Sequence, residues 1–378
     1  MDTMMAHIGI VGAGLAGAGA AYALRSTDHD VTILEKSRGV GGRAATRRRD
    51  GCRYDHGANY VKLPDERTGE VIRDLGADGL VDIAEPVWTF GADGEIAPGD
   101  GDDEHKYTWE AGITQFAKRL LAETDAEVRK TTRAASIALD GGGGRDGDGG
   151  PAGTVDRDGA WTVTDTDGAD DEPFDALLLT PPAPQTADLL AATEWPGAGD
   201  ALTELRAAVD ATEFRTVRTV VLHYPFELDV PWYGLVDVDK THEIGWLSRE
   251  ECKRGHVPDG EGLLIVQMSP EWSTEHYDDP LDEAADAAAT FAAGLVGDDR
   301  LTDPDWVDDQ GWCYALPNEE LVGDAADGAT DGDGVADAVA AAREAGLFLA
   351  GDWVAGRGRA AAALWNGIDA GESIAEQL

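Results

Sequence analysis

Cysteine is nearly absent from this chain. Its 378 residues hold three, Cys52, Cys252 and Cys313. They are scattered, odd in number and form no C-x-x-C pair, which argues against a structural zinc site and a disulfide framework. Sparse, unpaired cysteine points to a reducing, cytoplasmic setting. Positive charge is scarce as well: 30 Lys+Arg stand against 74 Asp+Glu, a formal net charge of -44, and only seven of the 30 are lysine. A surface of that sign disfavours nucleic acid and anionic membranes. Long apolar runs are missing. Ile8–Leu24 is interrupted by glycines, is too short to span a bilayer, and has no basic leader before it.

What is present is 42% apolar residues and 11 Trp, enough for a packed globule and, at this length, for two domains. The acid is spread along the whole chain instead of gathering in a tail. Concentrated salt screens the self-repulsion of such a coat, so the composition points to a halophilic source.

Ile8–Lys36 organises the rest. Ile8–Val11 is the short apolar run of a buried parallel strand. Gly12-Ala13-Gly14-Leu15-Ala16-Gly17 follows at once and fits G-x-G-x-x-G. Gly12 permits the tight turn, Gly14 lets a pyrophosphate approach the backbone, and Gly17 lets the helix through Leu24 lie close on the strand. The helix N-terminus offers N–H groups and partial positive charge to phosphates. Val31–Leu34 is a second strand. Glu35 closes it roughly 20 residues beyond the glycines, where a carboxylate accepts hydrogen bonds from an adenosine ribose. In a chain with 48 Gly the bare motif is weak. The strand before it, the helix after it and the acid make it a dinucleotide site.

Ser37–Tyr60 follows directly. Gly39, Gly41 and Gly42 give a flexible backbone with Arg43 behind them, a spacing that suits a loop folding back over a long dinucleotide with Arg43 near the pyrophosphate. A nicotinamide cofactor needs no such loop, whereas extended FAD does. Arg47-Arg48-Arg49 reads either as a solvated loop or as a phosphate contact.

The run EKSRGVGGRAATRR, followed by DHGANY, resembles the FAD-binding N-terminus of the renalase-like flavoproteins, relatives of the monoamine oxidases in the glutathione-reductase-type FAD superfamily. The resemblance implies that Gly12, Ala13, Gly14, Leu15, Ala16, Gly17, Glu35, Lys36, Gly42 and Arg43 hold FAD, and that Gly57, Ala58 and Asn59 run past the flavin with Tyr60 beside the substrate. Members often carry Gln where this chain has Asn59. The resemblance extends to PPAPQTADLL, read as a crossing between domains, and to WCYALP, where Trp312 and Tyr314 are the substrate candidates.

Along the rest of the chain, Arg67–Leu75 and Tyr107–Leu121 read as helical, the latter from Ile113, Phe116, Ala117, Leu120 and Leu121. Ala126–Val128 reads as a strand. In the superfamily that strand bonds the adenine, so Val128 is a candidate contact, with an ordinary core valine the equal alternative. The glycine- and aspartate-rich stretches 141–159 and 323–334 cannot form a core. Near the C-terminus Leu347–Ala350 is a strand ending in Gly351-Asp352, and Ala360–Gln377 an amphipathic helix. Asp352 suits a ribityl hydroxyl. The helix N-terminus at Arg359-Ala360 suits the pyrimidine edge of a flavin, whose reduced anion its dipole stabilises. Arg357 and Arg359 either add to that field or solvate the turn. No cysteine lies here, so FAD is expected to be non-covalent.

The expected fold is α/β: a Rossmann-type FAD-binding domain (residues 1–65, 110–184 and 313–378) and an α+β substrate domain with a mixed or antiparallel sheet (66–109 and 185–312), with the ligand pocket between them. The resemblance implies oxidation of isomeric 2- or 6-dihydro-NAD(P) to NAD(P)+ by hydride transfer to flavin N5, with dioxygen taking the electrons as hydrogen peroxide. Such a donor needs no general base, and no catalytic residue is assigned. His56, His223, His242 and His256 are the possible bases. The alternatives are a flavin amine oxidase and, in another class, a non-redox partner-binding protein on the same fold. No metal is expected, and the partners are a small-molecule substrate and dioxygen. Dialysis into dilute buffer should cost the protein its structure or its flavin; retained far-UV dichroism and bound flavin would contradict the salt-adapted reading.

Overall fold

A computed structural model describes residues 5–62, 66–99, 105–141, 159–171, 173–318, 321 and 332–378. The acidic stretches 141–159 and 323–334 lie mostly outside them. The chain forms two compact units, Met1–Gly42 with Ala117–Glu213 and Pro317–Leu378, and Arg43–Phe116 with Phe214–Leu316. By packing, residues 43–62, 110–116 and 313–316 go with the second unit and 185–213 with the first.

In the first unit five parallel strands pair in the order Glu127–Lys130, Asp30–Glu35, His7–Val11, Ala176–Leu179, Leu347–Leu349. Ile10 sits between Ile33 and Leu178 in register. Ile8, Ile10, Ile33 and Leu177 to Leu179 are fully buried, as expected of strands covered on both faces. The first helix, Leu15–Leu24, is apolar nearly all round and buried along its length.

That helix lies against the C-terminal helix, Ala360–Gln377, with main chain nearly touching main chain. A Cβ at Gly367 would stand 2.0 Å from the Ala16 carbonyl oxygen, and one at Gly371 2.6 Å from that of Ala20. Gly19 meets Leu364 in the same way, at 2.7 Å from its carbonyl oxygen. The pairs Gly367–Ala16 and Gly371–Ala20 advance by one turn together on both helices, so the two run parallel.

The proline run does not lead out of this unit. Pro181-Pro182 opens the helix Ala183–Ala191, with Pro184 in its first turn, where a missing N–H costs nothing.

In the second unit seven strands form a mixed sheet, in the order Trp306–Pro317, Phe214–Tyr224, Gly262–Met268, Ile244–Arg249, Gly234–Asp237, Val87–Phe90, Ile96–Pro98. Its pairs are antiparallel in the middle, but Gly234–Asp237 runs parallel to Val87–Phe90. One face, with Val220, Leu222, Leu247 and Leu264, is covered by the alanines of helix Leu281–Val296. On the other, Val221, Leu263 and Ile265 pack on Cys52 and Tyr54. The expected α/β class, Rossmann-type unit and mixed second sheet are all present.

Two local expectations are corrected. Tyr107–Leu121 is not one helix: Lys106–Trp109 is a strand and the helix begins at Thr114. Gly112, at φ 93, makes the break, and Thr114 exchanges hydrogen bonds with Thr46. Arg47-Arg48-Arg49 is solvated at Arg48 and Arg49, which are exposed, but it is not a loop. It lies in a hairpin, Thr46–Arg49 with Cys52–Asp55, turned at Asp50-Gly51 with both φ positive. Arg47 is held by Asp308 and Gln310, Arg48 by the Ala111 carbonyl, and Arg49 by the Val307 carbonyl. Among the described residues no helix is long and apolar enough to cross a membrane.

Gly367→Ala should cost about 1–3 kcal/mol in denaturant melts, because the new methyl meets a main-chain oxygen that no rotamer change moves. Gly39→Ala is the control: nothing lies within 4 Å of its Cβ position, so a change under about 0.5 kcal/mol is expected.

Candidate functional site

In the first unit the glycine turn is built for a close ligand. Gly12 has φ 99, and its N–H donates to the Leu34 carbonyl at 2.8 Å. Gly14 caps the first helix with no side-chain acceptor on the first turn, and its Cβ direction meets nothing within 4 Å. The following loop returns to this turn. Gly41 N–H donates to the Ala13 carbonyl at 2.8 Å, and a Cβ at Gly42 would lie 3.5 Å from Gly14 Cα.

Glu35 is 5% exposed. Its Oε2 accepts from Ala13 N–H at 2.8 Å and its Oε1 from Ser37 N–H at 2.7 Å. Each oxygen keeps a lone pair, which a ribose hydroxyl suits. Lys36 donates to Gln185 Oε1 at 2.8 Å. Burial, and then Arg133, hold its ammonium below the usual lysine range against the pull of Glu35. Val128 pairs with Ile33 on an edge strand of the sheet.

The other end of the cradle is at the C-terminal helix. Gly351, at φ 156, donates its N–H to Asn366 Oδ1 at 2.8 Å, and Asp352 is 4% exposed. Arg359 is the N-cap and Ala360 the first residue, with no side chain capping the turn. Arg359 Nη1 donates to the Gly358 carbonyl. Because Gly367 and Gly371 face Ala16 and Ala20, the two helices run parallel and their N-termini open towards the same end of the unit. Two uncapped helix tips at one end of the unit, with a buried carboxylate at the first, suit an extended dinucleotide with its phosphates at one tip and a ring system near the other. The residues present therefore fit FAD.

The remaining candidates lie in the second unit. Arg43 donates from Nη1 to the Ala315 carbonyl at 2.9 Å, and Arg43's own carbonyl accepts from Ala58 N–H. Gly57 is sterically required, since a Cβ there would stand 2.1 Å from the Arg43 carbonyl oxygen and 3.2 Å from the Trp312 ring. Asn59 Nδ2 donates to the Gly57 carbonyl and its Oδ1 accepts from Ser248. Gln267 donates to the same Gly57 carbonyl at 2.7 Å. The Asn59 amide thus shapes its own loop.

The three substrate candidates have different neighbours. Tyr60 stands 6.0 Å from Tyr233 and 6.1 Å from Trp246, which are 6.1 Å from each other. In this trio Tyr233 Oη and Trp246 Nε1 are buried without a hydrogen-bond partner. Trp312 donates to the His56 carbonyl and packs on the His56 ring. Tyr314 meets Phe214 edge-on.

Spacing missed the group beneath this segment. Asp55 is fully buried and accepts from Thr46 Oγ1, Thr108 Oγ1, Ile113 N–H and Lys253 Nζ. Burial raises its pKa, but Lys253 and its other partners outweigh that and hold it below the usual carboxylate range. Lys253 also pairs with Glu250 at 2.5 Å. His256 bridges Glu250 and the Trp109 carbonyl, so it is committed to structure. His242 Nδ1 accepts from Ile244 N–H. His56 is 4% exposed, and burial, helped by Arg47, pulls it from 6.5 to about 4. That makes it a weak base at neutral pH. Burial, then Glu261 and Asp50, push the Cys52 thiol up to about 11, so it is no nucleophile.

Comparison with known proteins bears on the first unit most directly. Residues 10–75 match the NAD(P)-binding Rossmann-like domain. A 58-residue stretch is 43% identical to 4,4'-diapophytoene desaturase (4,4'-diaponeurosporene-forming) of Staphylococcus aureus (strain Newman), covering 15% of this chain and 12% of the desaturase. Among solved structures, a protein assigned as a protoporphyrinogen oxidase from Exiguobacterium sp. 255-15 superposes with TM-score 0.71 at 16% identity, over 100% of this chain and 99% of that one. Wild-type putrescine oxidase bound to putrescine gives 0.69 at 12%, over 100% and 99%. Reduced UDP-galactopyranose mutase gives 0.70 at 12%, over 100% and 95%. The chain has the mixed α/β fold of these two oxidases and of the mutase.

The neutral burial of His56 carries a pH signature. Between about 4 and 6.5 the unfolded chain binds a proton there that the folded chain does not, so stability is full above 6.5 and is lost as pH falls towards 4. Wild type should lose on the order of 2 kcal/mol more than His56→Gln between pH 7.5 and 5, read from denaturant midpoints. Equal losses would refute it.

Proposed function

We propose that this protein is an FAD-dependent oxidoreductase that oxidises isomeric dihydronicotinamides, the 2- or 6-dihydro forms of NAD(P)H, with dioxygen as electron acceptor. The observation that carries the reading is the pair of uncapped helix tips with Glu35 buried at the first. Gly12 to Gly17, Glu35 and Gly42 would hold the adenosine and pyrophosphate end. Gly351, Asp352 and the Arg359-Ala360 turn would hold the ribityl and flavin end. Non-covalent FAD supplies a two-electron acceptor when bound.

The protein's own residues orient the donor and keep protons off it. A dihydronicotinamide gives up hydride without losing a proton from the reacting carbon, so it asks for no base. This agrees with the histidines: His256 is committed to Glu250 and the Trp109 carbonyl, and His56 is a weak base. Tyr60 and Trp246, both partly exposed, offer aromatic faces for a planar ring, backed by the fully buried Tyr233. The same trio favours a second reading, an amine oxidase, because an aromatic trio also attracts a substrate ammonium.

Anaerobic mixing with isomerically mixed NAD(P)H should bleach the flavin and release ordinary NAD(P)+. Tyr60→Ala should slow the bleaching about tenfold, ~1.4 kcal/mol, with FAD still bound. Bleaching by simple amines and not by the isomers would replace the first reading with the second. A chain that stays colourless in strong brine with added FAD would refute both.

A further inference from the structure

We propose that Cys52, His223 and Glu261 form a binding site for a divalent ion of the zinc class, at the rim of the seven-stranded sheet. One ligand atom from each lies within 4.8 Å of the other two. The donors of a tetrahedral zinc site stand roughly 3.3–3.6 Å apart, by their bond lengths, so closing on an ion takes shifts of about an ångström.

The three come from separate elements. Cys52 starts the hairpin's second strand, His223 is next to last in Phe214–Tyr224, and Glu261 immediately precedes Gly262–Met268. Spacing in the sequence could not connect them. Cys52 and His223 are buried, at 1% and 5% exposure, whereas Glu261 reaches the rim and leaves a path for the ion.

The surroundings of His223 are those of a metal ligand. Its Nε2 is 2.9 Å from Glu261 Oε2. Its Nδ1 has no hydrogen bond but lies 3.5 Å from Asp305 Oδ2. A ligating histidine characteristically turns its second nitrogen to an outer carboxylate, which fixes the ring and strengthens the donor. The ring is also stacked on Trp306, 4.9 Å away and 7° from parallel, with Arg49 over the same indole. The assignment is therefore Cys52 Sγ, His223 Nε2 and Glu261 as ligands, Asp305 as the outer carboxylate, and water in the fourth position. As the sulfur–metal bond forms, the Cys52 thiol proton leaves to solvent.

A second grouping provides the contrast. Asp55, Glu250 and His256 also bring three donors within 4.8 Å, but Lys253 Nζ already sits 3.1 Å from Asp55 and 2.5 Å from Glu250. Its ammonium takes the cation's place. Among the described residues no lysine or arginine pairs with His223 or Glu261. A bound ion would staple the hairpin to the sheet.

The test is a Co2+ titration of the full chain as purified, in concentrated KCl with excess Mg2+ to occupy the acidic coat. One equivalent should bring a thiolate-to-cobalt charge-transfer band in the difference spectrum. The band should vanish in Cys52→Ser, and Asp305→Asn should weaken binding ten- to a hundredfold. Saturation without a thiolate band, meaning surface carboxylates only, overturns the proposal. So does a band that survives Cys52→Ser, which would belong to Cys252 or Cys313. If Cys52→Ser does not fold, Glu261→Gln and Asp305→Asn decide, both being changes at exposed side chains: unchanged affinity in both refutes the site.

Discussion

The second unit depends on one buried carboxylate. Asp55 ends a hairpin strand and gathers bonds from Thr46 on the partner strand, Thr108 on the neighbouring sheet, the N–H of Ile113 before a helix, and Lys253 beyond a 3-10 turn. Such a group is stable only while every bond is made, because taking a charge out of water costs more than one partner returns. Four partners meet that condition. They fix where the chain stands when it leaves Asp55, and His56 to Tyr60 follow directly. The required Gly57, the Asn59 amide turned back on its own loop, and the ring of Tyr60 against Tyr233 all begin from that fixed point.

The first unit rests on a different constraint, steric instead of electrostatic. Glycines at 19, 367 and 371 let two helices approach until main chain meets main chain. The approach sets the helices parallel and opens both tips towards the same end. The sheet then brings Glu35 to the shorter helix through its bond to Ala13 N–H. Geometry suited to a long anionic ligand follows from small residues and one acid, with no cationic side chain required at the turn itself.

These two constraints differ in how far the sequence displays them. The glycine turn, Glu35 and Gly351-Asp352 were legible because each is a local pattern: the residues that act together are neighbours in the chain or occupy fixed offsets from a strand end. The hairpin at 46–55 was missed although Asp50-Gly51 is a strong turn signal, because three consecutive arginines hide the alternation of a strand. Their partners, Asp308 and Gln310, lie more than 250 residues on. Asp55 reads as one acid among 74. Its burial is set by Lys253, 198 residues away, and no period or spacing carries that. The same holds for the Tyr60, Tyr233 and Trp246 trio, whose members lie up to 186 residues apart in the chain. Tyr107–Leu121 was misjudged for the opposite reason: a true helical pattern from Ile113 onward was extended backwards over a strand.

The glycine seam has a consequence for how this chain can change over generations. Most tight contacts are between side chains, so an enlargement on one side is answered by a reduction on the other, and pairs of sites drift together. Here Gly367 and Gly371 face the carbonyl oxygens of Ala16 and Ala20, atoms that every amino acid carries. No second substitution shortens a carbonyl. These positions are closed to compensated drift, and related sequences sharing this helix pair should hold glycine there without a covarying partner.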